Sequence, residues 1–259
     1  MHREVSKTQI DRLGDRLKKG EADEGDLRLL SEYLGTFAEA SELIVGLLRS
    51  KLRVNPSVRQ PKSIASIVDK LRRERTRLSS MQDLVGCRVV VATIVDQNIL
   101  VENINALFSD RDIFSDLSAK DRRAAPSHGY RAFHFVVTLN DRKVEIQVRS
   151  ELQHVWAERS EKMADAFREI AIKYGGGPEN VKRLLAKLSQ MIAKVEDLEL
   201  YVHDKVGRVP APAFLDIETV RDMDDVRTRA VKLRRYLLQS LDQELGDLGK
   251  ASNDISNRI

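Results

Sequence analysis

The stretch RAFHFVVTLNDRKVEIQVRS, residues 131–150, decides the fold. β-Branched and aromatic residues fill both arms, and Asn140-Asp141 between them tolerates the left-handed backbone of a two-residue hairpin turn. Arg131–Leu139 and Arg142–Ser150 are therefore read as an antiparallel pair. In the second arm Val144, Ile146 and Val148 alternate with Lys143, Glu145, Gln147 and Arg149. One face of that strand enters a core, and the other lines up a carboxylate, an amide and two cations. Such a row suits a charged ligand better than packing. An ordinary half-exposed strand with cross-strand ion pairs is the competing explanation.

Upstream, Val89-Val90-Val91 within Gly86–Ile94 fits a strand buried on both faces. Asp96 reads as the cap of a helix reaching Leu107, Asp112–Phe114 as a short strand, and Ser118–Ser127 as a charged loop. Ser63 caps a basic amphipathic helix whose apolar side is Ile64, Ile67, Val68 and Leu71. Leu27 to Leu52 repeats at helical spacing until Asn55-Pro56, whereas residues 1–26 are polar and predict a marginal helix. Downstream, a helix runs from Glu151 to about Ala171, and Gly175-Gly176-Gly177-Pro178 reads as a flexible joint. Val181, Leu184, Leu188, Met191, Val195, Leu198 and Val202 then form a helical seam that needs a partner. Pro210 and Pro212 mark a linker before a second amphipathic helix over Val226–Leu248, which folds back on the first or pairs across an oligomer.

Composition limits the function classes. With 259 residues, 42% hydrophobic and 32% charged, the chain is globular. It shows neither the roughly 20 apolar residues of a membrane span nor a signal-peptide core, so a cytoplasmic protein with no membrane partner is expected. The lone Cys87 excludes an internal disulfide and a cysteine-based zinc site. Net charge is only +4, but residues 49–77 carry ten cations against Asp69 and Glu74. That excess attracts phosphate on a nucleotide or a polynucleotide, or else is a solvated helix face.

Asp83 stands just before the buried strand and Glu145 on the polar face of another, so two carboxylates are available to one hard cation such as Mg2+. A divalent ion on phosphate oxygens, with lysines and arginines around it, is what phosphoryl-type transfer requires. Tyr130, after Gly129, offers a ring on which a base can stack.

The series Lys62, Ser66–Lys70, DLVGCR (83–88), GYRAFH (129–134) and EIQVRS (145–150), continuing through LQHVWAE (152–158), resembles the synthetase domain of RelA/SpoT enzymes. The similarity is to the small, synthetase-only members that make guanosine tetra- and pentaphosphate. It implies an α+β, nucleotidyltransferase-like mixed β-sheet flanked by helices, with a C-terminal helical extension. Domain boundaries follow: a polar N-terminal segment 1–26, the synthetase domain 27–178 and the extension 179–259. The implied activity transfers pyrophosphate from ATP to the 3′-hydroxyl of GDP or GTP and releases AMP.

By position in those motifs, Asp83 and Glu145 are the implied metal-binding and catalytic carboxylates for Mg2+. Tyr130 is the implied guanine-stacking residue, and His134, Gln147 and Arg149 are the implied lining of the acceptor site. Arg59, Lys62, Lys70, Arg72 and Arg88 are implied cations of the ATP and core region, with Arg122 and Arg123 as phosphate contacts in the loop. His128 stands where many members carry asparagine. The implied partners are ATP and GDP or GTP, and self-association through the C-terminal helices. A branch of the family that pyrophosphorylates the 3′ end of tRNA is an alternative, as is a catalytically inactive nucleotide- or RNA-binding module.

Overall fold

In the computed structural model, residues 6–110, 112–167 and 170–207 are described, together with 228, 232, 234–236 and 239. Helices α1 (Lys7–Lys19), α2 (Glu24–Gly35) and α3 (Ala38–Leu52) precede strand β1 (Ser57–Arg59) and helix α4 (Ile64–Glu74). After a 3₁₀ turn at Leu78–Ser80 come β2 (Val85–Val91), α5 (Ile94–Phe108), β3 (Asp116–Asp121), β4 (Phe133–Leu139) and β5 (Arg142–Ser150). Helix α6 (Glu151–Ala166), a 3₁₀ segment Ile170–Tyr174 and α7 (Glu179–Gly207) follow. The strands lie in the order β1-β2-β5-β4-β3, a mixed sheet flanked by helices in an α+β fold, as expected. Asn140 and Asp141 have φ of 48° and 59°, the left-handed pair that a tight β4–β5 hairpin demands.

Two compact units divide the chain. One comprises Met1–Val89, Leu100–Lys120 and His134–Val148; the other comprises Val90–Ile99, Asp121–Phe133 and Arg149–Ile259. In the first, Ile10, Leu13 and Leu17 of α1 are buried with Leu30, Ile67, Leu71 and Leu78. The marginal N-terminal helix expected from composition is thus a formed one. Ser6 accepts from the Gln9 N–H while the Gln9 side chain accepts from the Ser6 N–H, and Gly20 closes the helix at φ 78°. Arg16 adds a pair to Asp26 at 2.7 Å, and Asp11 accepts from the Ser79 N–H at 3.1 Å.

Several expectations shift in detail. The periodicity of 27–52 is two helices broken at Thr36-Phe37, where Phe37 packs edge-on against Tyr33. Thr93 rather than Asp96 caps α5: the Thr93 hydroxyl accepts from the Asp96 N–H at 3.1 Å, and Asp96 accepts from the Thr93 N–H at 3.0 Å. The strand expected at Asp112–Phe114 is a turn, and the strand lies instead at Asp116–Asp121, running into the stretch Ser118–Ser127 read as a loop. There Lys120 and Asp121 defeat a hydrophobicity criterion because the strand is mostly exposed. β2 is buried over Val85, Gly86 and Cys87, but Val90 faces out.

In the second unit Trp156 sits among Leu152, Val181, Leu185, Leu188 and Ile192, and its indole N–H donates to the Leu185 carbonyl at 2.8 Å. The seam of α7 therefore has a partner in α6. Of the expected seam Val181, Leu188 and Val195 are buried, but Leu185 and Ile192 take the buried places expected of Leu184 and Met191, which stand partly buried at the side. Gly175 is no simple joint: a Cβ there would lie 2.1 Å from His128 Nδ1, and its φ is 80°. Pro210, Pro212 and Val226–Leu248 fall outside the described residues, apart from single positions. Of these, Arg234 pairs with Glu151 and, at 3.7 Å, with Glu199 of α7. Among the described residues no helix is long and apolar enough to cross a membrane.

Cys87 is fully buried in β2, and burial pushes its thiol pKa up to about 12. The thiolate is the reactive form. Native protein at pH 8 is expected to resist iodoacetamide for hours and to label within minutes in denaturant; labelling at the rate of a free thiol would contradict this placement.

Candidate active site

Strand β5 is buried along both faces, which the alternating pattern alone does not foresee. Val144, Ile146 and Val148 are 0% exposed, and Glu145, Gln147 and Arg149 on the polar side are only 8%, 6% and 3% exposed. A carboxylate so enclosed needs partners to replace its hydration. Glu145 has three: His134 Nδ1 lies 2.7 Å from Oε1, while Gln147 Nε2 and Arg59 Nη1 donate to Oε2 at 2.7 and 3.0 Å. Burial pushes the Glu145 acid up, but the His134 bond and charge, with Arg59, outweigh it against the opposing push of Asp83. The net pKa lies below the usual carboxylate range, so Glu145 is ionised at neutral pH.

Backbone geometry explains how Arg59 reaches it. β1 and β2 pair antiparallel with Arg59 opposite Gly86. A Cβ on Gly86 would stand 2.4 Å from the Glu145 carbonyl oxygen and 3.1 Å from its Cβ. The strand between Arg59 and Glu145 thus has no side chain at this level, and the guanidinium crosses over it.

Asp83, at the turn into β2, is held by two ammonium groups: Lys62 Nζ and Lys70 Nζ each donate at 2.8 Å, one to each carboxylate oxygen. The Lys62 N–H also donates to the Leu84 carbonyl at 2.9 Å, fixing the segment before α4 against the one before β2. Lys70 comes from the polar side of α4, two turns after the Ser63 cap. Burial again raises the acid, and Lys62 and then Lys70 more than reverse it, so Asp83 also titrates low.

The other expected residues divide. Tyr130 and Arg149 meet in the second unit: Arg149 Nη2 donates to the Tyr130 hydroxyl at 3.0 Å, and the guanidinium carbon lies 5.1 Å from the ring centre. Tyr130 closes a tight turn from Ser127, with His128 at φ 54° and Gly129 at φ 89°. Arg123 is occupied structurally. It bonds both Asp121 oxygens, reaches Asn98 at 2.6 Å and lies over the Phe133 ring. Arg122 donates its N–H to the Ala132 carbonyl and its side chain is half-buried. Arg88 is half-buried in β2. Arg72 is turned elsewhere, donating to the Lys18 carbonyl at 2.9 Å, where it caps the end of α1. Of the basic excess, Arg73 pairs with Asp69 and Glu74, while Arg49, Lys51, Arg53, Arg75 and Arg77 are exposed.

No cluster of three or more His, Cys, Asp or Glu able to cage a metal exists among the described residues. The buried Glu145 and half-buried Asp83 beside several cations fit Mg2+ of the kind that would keep waters and share a nucleotide's phosphate oxygens, and they do not fit an all-protein cage.

Residues 59–165 match the model of the region found in RelA/SpoT proteins. The match covers less than half of the chain. Two uncharacterized mycobacterial proteins, Rv1366 of Mycobacterium tuberculosis and Mb1401 of Mycobacterium bovis, are each 32% identical over 150 residues, covering 55% of this chain and 53% of theirs. The chain thus spans about half the length of the curated relatives it matches. Small alarmone synthetase 1 of Bacillus subtilis, solved with its product pppGpp, superposes with a TM-score of 0.55 at 23% identity over 70% of this chain and 100% of its own. Small alarmone synthetase 2 of Bacillus subtilis gives 0.52 at 20% identity over 71% and 100%. These likenesses establish the fold. Asp83, Glu145, Tyr130 and the cations around them all lie inside the matched residues 59–165.

Sequence reading passed over Gly86, although it stands in the DLVGCR motif, because its role depends on a strand 59 positions away. It also passed over Glu196 of α7, whose buried partners are described below. Gly86→Ala is expected to drive the two strands apart, costing about 1–3 kcal/mol in stability, and to break the Arg59–Glu145 pair; an unchanged urea midpoint would rule out the close approach. Both carboxylates titrate below their unfolded values, so the stability they contribute is complete above about pH 4 and drains as pH falls through the lower folded values. Tm measured between pH 6 and pH 2 should accordingly show Asp83→Asn below wild type at the upper end and the gap closing toward the lower.

Proposed function

We propose that the RelA/SpoT region is an ATP-dependent pyrophosphokinase that acts on a guanosine nucleotide. The observation that carries this reading is the buried Glu145 with its shell of Arg59, His134 and Gln147, in the same unit as an Asp83 clamped by two lysines. Ionised carboxylates beside exchangeable cations suit a reaction whose reactants bring their own negative charge. The family match and the pppGpp-bound relative support guanosine nucleotide as acceptor.

In this reading ATP phosphates replace Asp83 as the partner of Lys62 and Lys70, which frees the carboxylate. Asp83 and Glu145 would then hold Mg2+, and the ion would supply charge neutralisation on the phosphate oxygens. Glu145 takes the proton from the 3′-hydroxyl of GDP or GTP as that oxygen bonds to the β-phosphorus of ATP. The bond from the β-phosphorus to the oxygen bridging it to the α-phosphate breaks, and AMP departs with that oxygen. His134, Gln147 and Arg59 keep Glu145 oriented and ionised before the acceptor arrives. Tyr130 and Arg149 take the guanine nucleotide, by ring stacking and by charge.

A second acceptor is favoured by one observation: Arg49, Lys51, Arg53, Arg75 and Arg77 are exposed, cations of the kind that the 3′ end of a tRNA attracts. Purified protein with Mg2+, ATP and GDP should release AMP and form a 3′-pyrophosphorylated guanosine. Asp83→Ala or Glu145→Gln should lower AMP release by at least about a hundredfold. Label passing from ATP to tRNA alone would favour the second acceptor; ATP bound with no AMP formed on any acceptor would leave a binding module.

A further inference from the structure

Glu196 lies in the middle of α7 and is 1% exposed. Its Oε2 accepts from Arg131 Nη2 at 3.1 Å and Nε at 3.3 Å. Its Oε1 accepts from the Ser150 hydroxyl and from Gln153 Nε2, both at 2.7 Å. Arg131 is the residue after Tyr130, and Ser150 is the residue after Arg149. One carboxylate on the C-terminal helix therefore ties down the next residue along the chain from each member of the Tyr130–Arg149 pair.

The lock extends on either side. Ser150 accepts from the Gln153 N–H at 3.2 Å and Gln153 Oε1 accepts from the Ser150 N–H at 3.3 Å, so the group that Glu196 holds is also the N-terminal cap of α6. Gln153 and Gln97 exchange amide bonds at 2.9 and 3.1 Å, and Gln97 accepts from Arg123 at 3.3 Å. An independent contact sits on the other side of Tyr130. A Cβ on Gly129 would lie 2.8 Å from the Trp156 ring, 3.3 Å from Ser189 Cβ and 3.4 Å from the Leu185 carbonyl, so the turn carrying Tyr130 rests directly on α6 and α7. Tyr130 is fixed from Gly129 by packing and from Arg131 by charge.

We propose that Glu196 is a positioning residue for acceptor binding, so that α7 forms the floor of the acceptor subsite rather than an appendage. The inference rests on the preceding assignment of Tyr130 and Arg149 to the guanosine nucleotide. Glu196 touches no substrate; it sets the backbone from which Tyr130 and Arg149 project. A buried carboxylate accepting bonds from four donor atoms gives one geometry, whereas an amide in its place turns an N–H2 toward Ser150 and Gln153 or toward Arg131.

Steady-state kinetics with ATP and GDP varied in turn, on the full chain, tests this. Glu196→Gln is expected to raise the KM for GDP about tenfold or more while leaving the KM for ATP within about twofold, with Glu196→Asp recovering part of the loss. Arg131→Lys, which keeps the charge but loses the fork, should act in the same direction and carries the test if Glu196→Gln does not fold. GDP titration followed by the fluorescence of Trp156, the sole tryptophan, whose ring centre is 6.3 Å from that of Tyr130, gives a second readout. Equal loss in both KM values, or loss of folded protein alone with normal kinetics in what remains, would overturn the proposal. Tyr130→Ala separates the two levels of argument. If it leaves the KM for GDP unchanged, the acceptor assignment falls and this inference with it; if it raises that KM and the Glu196 and Arg131 variants do not, only the positioning role falls.

Discussion

A carboxylate leaves water only when hydrogen bonds and opposite charge replace its hydration, and three carboxylates among the described residues, Glu145 and Glu196 buried and Asp83 half-buried, organise what lies near them. Asp83 is held by two lysines, Glu145 by an arginine, a histidine and a glutamine, and Glu196 by an arginine, a serine and a glutamine. Each set includes a partner from a segment distant in sequence. The anions consequently act as cross-links, and the sheet order and helix placements are those that let the cations arrive. Arg59 enters from β1 across a strand that must be glycine where it crosses, and Lys70 enters from a helix whose cap, Ser63, follows directly on Lys62.

Much of this was legible in the chain because its signals are local. The hairpin follows from Asn140-Asp141 between two β-branched arms, and α4 from Ser63 followed by apolar residues at helical spacing. Signals that are short, or that compete with charge, were lost. The Ser6-x-x-Gln9 box before α1 announces a helix start, yet the polar composition around it argued for a frayed end, and only burial of Ile10, Leu13 and Leu17 against α4 settles the matter. β3 is mostly exposed and carries Asp116, Lys120 and Asp121, so nothing in its hydrophobicity marks a strand; a place at the sheet edge, beside β4, does.

The site divides in the same way. Motif order marked Asp83, Glu145, Lys62, Lys70 and His134, which the structure places in charged contacts within one unit, and Tyr130 with Arg149, which it places in contact in the other. Motif order could not say that Arg72 leans back to cap α1, or that Arg123 is consumed by Asp121, Asn98 and Phe133. A cation's destination is a tertiary fact, since any of ten in the 49–77 stretch looks alike from sequence. Glu196 was invisible for the converse reason. It sits inside an apolar seam as one acidic residue among several on a helix, and only the depth of the seam shows that it faces inward.

The choice of cation separates Asp83 from Glu196. Lysine presents a compact point charge on a flexible stem with no preferred face, so Lys62 and Lys70 can exchange Asp83 for another anion at little geometric cost. Arginine presents a planar fork, and Arg131 uses two of its nitrogens on a single Glu196 oxygen while Ser150 and Gln153 occupy the other. That arrangement is lost, not adjusted, when one member moves. In the proposed reaction, an Asp83 that is released suits the first pairing, and a Glu196 that holds the Tyr130 turn still suits the second. On that proposal the chain uses lysine where Asp83 exchanges for a polyphosphate and arginine where Glu196 holds a fixed floor.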